Sequence, residues 1–239
     1  MFQGDLKLTS LDLSNFNTSK VYDMNSMFKN CESLIYINLS SFNASKVKYM
    51  YNMFYECTSL KYLDIFKRSL QKVERMDFMF YKCENLISLN LSKIYAYELK
   101  DMNSMFYGCH SLNLVNFSSF TTYVLTTMNY TFYDCWNLKS VDFSNFYVNR
   151  VQTMEKMFFN DYSLVILDLS SFKTFDLTKI NYMFANCSNL ITLDLSNFNS
   201  RYIGTVEGLF LNTTNLVKII SKDETICSLK PKGSQCYSK

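Results

Sequence analysis

Glycine and proline are scarce in this 239-residue chain, with five and one respectively. That scarcity excludes a flexible Gly-rich or Pro-rich linker, so one continuous unit is expected rather than separate domains. There is a single histidine, His110. No His/Cys/Glu set has metal-ligand spacing, and no Gly-rich phosphate loop or nucleophile elbow is present, so no enzyme activity and no cofactor are expected. No run of eighteen apolar residues exists, so membrane insertion is not expected either. Net charge is only +3, which gives no reason to expect nucleic acid or an anionic membrane as partner.

What is abundant is repetition. The stretch from Leu8 to Ser33 starts again at Leu34, Leu60, Leu86, Leu112, Leu138, Leu164 and Leu190, a fixed interval of 26 residues running to Asn215. A period of this size predicts a solenoid. In the first half of each copy, Leu8, Leu11 and Leu13 follow L-x-x-L-x-L, and Leu11 to Ser14 alternates with period two. That is a short strand with one buried face, in the pattern of a leucine-rich repeat.

The second half has a different spacing. Val21, Met24, Met27, Phe28 and Cys31 recur at steps of three and four, which predicts a helix of about three turns after Thr18 and Ser19 as N-cap candidates. The expected fold is therefore an α/β repeat solenoid. It is a leucine-rich-repeat horseshoe with a concave parallel β-sheet and short convex helices, bent because strands sit about 4.8 Å apart and helices about 8–10 Å. The helix phenylalanine never changes: Phe28, Phe54, Phe80, Phe106, Phe132, Phe158, Phe184 and Phe210. It is expected to form a buried spine.

Copy three departs from the pattern at Phe66 and Arg68. Residues 1–7 align with 27–33 and read as the tail of a truncated preceding repeat, with no signal-peptide pattern. Residues 8–215 are the eight repeats, and 216–239 a last strand and C-terminal cap that covers the open edge. Six of the eight cysteines fall on the period and are expected to stay unbridged, since helix spacing would hold them too far apart. Cys227 and Cys236 flank a cap loop and could bridge in an oxidising compartment.

Two surfaces are candidate binding sites. The strand row Asp12, Asn38, Asp64, Asn90, Asn116, Asp142, Asp168 and Asp194 would line the concave face, where it could hold a polar ligand or simply link neighbouring strands. The row Tyr55, Tyr81, Tyr107 and Tyr133 follows the helix phenylalanine and would be exposed on the convex side, suggesting a partner or stacking between molecules.

The unit LxxLDLSNFNTSxVxxMxxMFxxCxS resembles the repeat of BspA-like leucine-rich-repeat surface proteins of bacteria and some protists. That resemblance implies a non-enzymatic surface or secreted module for adhesion or recognition, with a protein or glycan on a host or neighbouring cell as partner. The alternative open from the residues is an intracellular interaction scaffold with reduced thiols.

Overall fold

A computed structural model of the chain describes residues 1–65, 70–92, 94–204 and 206–238. Phe66 and Arg68 lie outside them. Each copy contributes one short strand: β1 (Ser10–Leu11), β2 (Tyr36–Asn38), β3 (Tyr62–Asp64), β4 (Ser88–Asn90), β5 (Leu114–Asn116), β6 (Ser140–Asp142), β7 (Ile166–Asp168) and β8 (Thr192–Asp194). β9 (Lys218–Ile220) follows, then helix α1 (Glu224–Ser228) and β10 (Gln235–Tyr237). Pairing is parallel and shifts by one repeat at each step, as in Ile37 with Leu63 or Leu167 with Leu193. Their side chains point inward and are buried, apart from the half-buried Leu63. The sheet is interrupted twice: β1 to β3, β4 to β6, and β7 to β10 form three separate sheets.

Among the described residues, the helix expected in the second half of each copy is not formed; a chain of β-turns takes its place. The amides of Met27, Lys29 and Cys31 return to carbonyls three residues back, at 3.1 to 3.4 Å. The alternate amides of Met24, Ser26, Phe28 and Asn30 point forward to the carbonyls of Tyr49, Tyr51, Met53 and Tyr55 in the next copy, at 2.7 to 3.1 Å. This alternation needs a left-handed residue at two places per copy, filled for example by Ser26 and Asn30 with φ of 52° and 60°. The left-handed residues fall four apart and the buried Met24, Phe28 and Cys31 four and three apart, so these turns carry the same apolar spacing as a helix. The backbone on this side is a second intermolecular-style ladder between copies, and the bend expected from helix spacing loses its premise.

The correction extends to the cysteines. All six periodic thiols are free and buried, but not for want of proximity. Adjacent copies are close enough for the Phe spine to stack at 5.3 to 5.9 Å between ring centroids, from Phe28 to Phe210. Each thiol instead donates backward to the carbonyl of the spine phenylalanine 29 residues earlier, as Cys57 does to Phe28 at 3.0 Å and Cys109 to Phe80 at 3.1 Å. Burial pushes the Cys57, Cys83 and Cys109 thiols far above their ordinary pKa, so they stay protonated as this bond requires. In copy six the position is Asp161, fully buried; its Oδ1 accepts the Cys135 amide and its Oδ2 has no partner among the described residues.

At the N-terminal end, Phe2 stacks on Phe28 at 5.4 Å, and the amides of Phe2 and Gly4 reach Met27 and Lys29. At the other end β10 pairs with β9, and a Cys227–Cys236 disulfide ties it to α1. Asp223 caps α1 by accepting the Ile226 amide.

Candidate functional site

The Asp/Asn row stands at the ends of the strands, and its chemistry there is specific. Among the described residues, Oδ1 accepts the amide two residues on at seven positions: Asp12 from Ser14, Asn38 from Ser40, Asn90 from Ser92, and likewise Asn116, Asp142, Asp168 and Asp194, at 2.8 to 3.0 Å. This Asx turn ends the strand. It explains why Asp and Asn alternate freely along the row, since both offer the same oxygen. Asp64 accepts the Tyr36 hydroxyl at 2.7 Å. Asp12, at the open surface, has its carboxyl held below the usual range by the Ser14 amide. The expected run Asp142, Asp168 and Asp194 is not uniform. Asp168 pairs in register with Asp194, which is buried, whereas Asp142 belongs to the preceding sheet.

The tyrosine row is one stacked column. Tyr55, Tyr81, Tyr107, Tyr133 and Phe159 follow at centroid distances of 4.6 to 4.9 Å, and the Lys29 ammonium sits 4.3 Å over the first ring. The rings cover one another, so all four tyrosines are half-buried rather than exposed. Burial pushes the Tyr107 hydroxyl up to about 12.

A third region was not singled out by the sequence reading. On the loop that follows each strand, copies one and two carry Asn17, Ser19 and Lys20, then Asn43, Ser45 and Lys46. Copies four to eight place Tyr95, Tyr123, Tyr147, Phe175 and Tyr202 at these positions, all with large exposed rings; Tyr123 is 65% exposed and Tyr147 51%. The signal available in the sequence was this departure from the repeat's own consensus.

The same loops border the interruption between β6 and β7. No strand pairing joins these two among the described residues. The strand row there changes from Phe117 and Phe143, stacked at 5.5 Å, to Leu169. The Phe143 ring meets Phe172 edge-on at 5.0 Å, so copies six and seven do not superimpose as the others do. The Ser171 hydroxyl donates to the Phe143 carbonyl at 2.8 Å across the break. A cavity of about 500 Å³ opens here, lined by Asp142, Ser144, Asn145, Tyr147, Asp168 and Lys173 among others. A second, of about 350 Å³, shares Asn145, Tyr147 and Lys173 and continues past Tyr123 to Arg150. Asn145 has φ of 63° and is the one non-glycine left-handed residue, among those described, outside the two turn rows. No group of His, Cys, Asp and Glu among the described residues is arranged to hold a metal ion, and no helix is long and apolar enough to cross a membrane.

Among solved structures, the chain is similar to a TLR13–ssRNA13 complex at 20% identity and TM-score 0.40, covering 84% of this chain and 31% of that one. It is similar to internalin C2 of Listeria monocytogenes at 15% identity and TM-score 0.37, covering 90% and 80%. A leucine-rich repeat protein of Bacteroides ovatus aligns at 16% identity and TM-score 0.35, covering 92% and 67%. Likenesses of this degree fix neither a ligand nor an activity. The sequence matches no curated protein. A family model matches residues 1–94, 58–163 and 126–228, nearly the full length. The chain therefore belongs to the family described as "Mycoplasma protein of unknown function, DUF285".

Proposed function

We propose that this solenoid is a non-enzymatic binding module, displayed at a cell surface or secreted, that recognises a protein or glycan on a host or neighbouring cell. The observation that carries the reading is the aromatic loop edge. The buried rows are nearly uniform from copy to copy, yet Tyr95, Tyr123, Tyr147, Phe175 and Tyr202 break the consensus only where the chain meets solvent. Large exposed aromatic rings on the same side of successive loops favour a partner that covers them. The Cys227–Cys236 disulfide supports a location outside the reducing cytoplasm, and so favours this reading over an intracellular scaffold.

The test is binding of the full chain to surfaces coated with purified extracellular-matrix proteins or mucin, read by biolayer interferometry. Saturable binding to at least one coating is expected. It should be lost when Tyr123, Tyr147 and Phe175 are all replaced by Ser, in a variant whose thermal midpoint matches the parent. A triple variant that binds like the parent, or a parent that binds no coating, refutes the proposal.

A further inference from the structure

We propose that the opening between β6 and β7 is an oligosaccharide site, with Tyr147 as its stacking platform and Asp142, Asn145, Asp168 and Lys173 as the groups that read hydroxyls. This rests on the binding reading above and adds a ligand class and a place. Among the described residues, the opening is a place where the array departs from its own pattern. The sheet is interrupted there, and Asn145 holds a left-handed backbone that corresponding residues such as Asn15, Ser41 and Asn197 do not adopt. Asn tolerates this conformation better than most residues, so Asn145 marks a different backbone path at the opening rather than strain.

The lining then points to the ligand. A pyranose ring has an apolar face of C–H groups and a rim of hydroxyls. The face packs on an aromatic ring, whose negative π surface attracts the C–H hydrogens. Planar carboxylates and amides read the rim, because their oxygens and nitrogens match adjacent hydroxyls. Asp142 and Asp168 use only Oδ1 for their turns, which leaves Oδ2 of each without a partner among the described residues. Lys173 makes no ion pair among the described residues. Across the two contiguous cavities, Asp142 and Asp168 are balanced by Lys173 and Arg150, and a groove without net charge suits an uncharged polyol. The two contiguous cavities, about 500 and 350 Å³, give room for more than one sugar ring and carry the groove toward Tyr123.

A peptide added as an extra strand does not fit the break. Cα atoms of β6 and β7 still lie within 8 Å of one another. A strand inserted between them needs roughly 9.6 Å, twice the strand spacing.

The experiment uses the full chain with four neutral probes: maltotetraose, cellotetraose, chitotetraose and lacto-N-tetraose. Saturation-transfer NMR identifies binding and isothermal titration measures it. At least one probe is expected to bind. Tyr147→Ala should raise its Kd tenfold or more. Asp168→Asn should do the same, because it keeps the Oδ1 that closes the turn and replaces the second acceptor by a donor. Tyr62→Ala, on β3 in another sheet, should leave the Kd unchanged, and all variants should melt at the parent's midpoint. The proposal is overturned if no probe binds at millimolar concentration, or if both site variants bind like the parent. If the sugars fail while the chain still binds a matrix coating, the saccharide site falls and the binding reading stands. If both assays fail, both fall.

Discussion

Replacing Phe106 by Ala tests whether the array is held by its spine. Phe106 is wholly buried, with Phe80 stacked at 5.4 Å on one side, Phe132 at 5.3 Å on the other and Phe117 edge-on at 6.5 Å. A buried phenylalanine removes about 150–250 Å² from water. At about 25 cal/mol per Å², less the methyl that alanine retains, its loss is worth about 3–5 kcal/mol. The turn-side ladder ties both flanking copies to this one, through Phe80 to Met105 and Phe106 to Thr131, and β4 pairs with β5, so the hole collapses little and the upper part of that range applies. Phe2 makes the internal control: it is half-buried and stacks only on Phe28, so Phe2→Ala should lose about 1–2 kcal/mol. Urea unfolding monitored by circular dichroism would measure both. A loss below about 1 kcal/mol for Phe106→Ala, or equal losses for the two variants, would refute the idea of a spine whose strength comes from neighbours on both faces.

Asp161 gives a pH prediction. Burial pushes its carboxyl well above the ordinary carboxylate range, whereas in the unfolded chain it titrates normally. The folded state therefore holds its proton more tightly, and stability contributed at low pH is lost as pH rises from the unfolded pKa toward the folded one. Asp161→Cys should restore the thiol bond made in the other copies, remove that slope in urea melts from pH 4 to 8, and raise stability at neutral pH by about 1–3 kcal/mol; an unchanged slope sinks the assignment. The periodic thiols should resist a thiol reagent in the native protein, and six should react after unfolding without reductant; fewer than six would reveal a bridge. Replacing Asp142, Asp168 and Asp194 together by Asn should leave the urea midpoint unchanged or raised, because the Asx turns survive, and should weaken binding of the neutral saccharide probes by the same factor at low and high salt. A loss of stability would show that their charge, rather than their shared oxygen, holds the strand ends.

The period, the strands and the phenylalanine row were readable from residue spacing alone, because burial on one face repeats with the backbone that creates it. The turn side was not. Met24, Met27, Phe28 and Cys31 sit at intervals common to a helix and to a string of β-turns, and apolar spacing cannot separate the two. A finer signal was present. Asn30, Gly108, Asp134, Asn160, Asn186 and Asn212 recur where a helix interior disfavours them and a left-handed turn accepts them. Yet Phe78, Tyr130 and Tyr182 occupy the other left-handed row, and nothing in their chemistry announces it. The cavity was illegible for a different reason. It arises where Phe143 meets Leu169, a mismatch between copies that a consensus averages away.

The two opposed sets of bonds between copies have a consequence for how such a chain can change length. Turn-side amides reach forward to the next copy, and thiols reach back to the one before. An insertion or deletion of a few residues breaks both sets at once, and sliding one coil along another cannot restore them. Removal or duplication of a whole 26-residue unit leaves every donor facing an equivalent acceptor. The gene encoding such a chain can therefore be lengthened or shortened by unequal exchange between its own repeats, in whole units, and each product inherits a closed network.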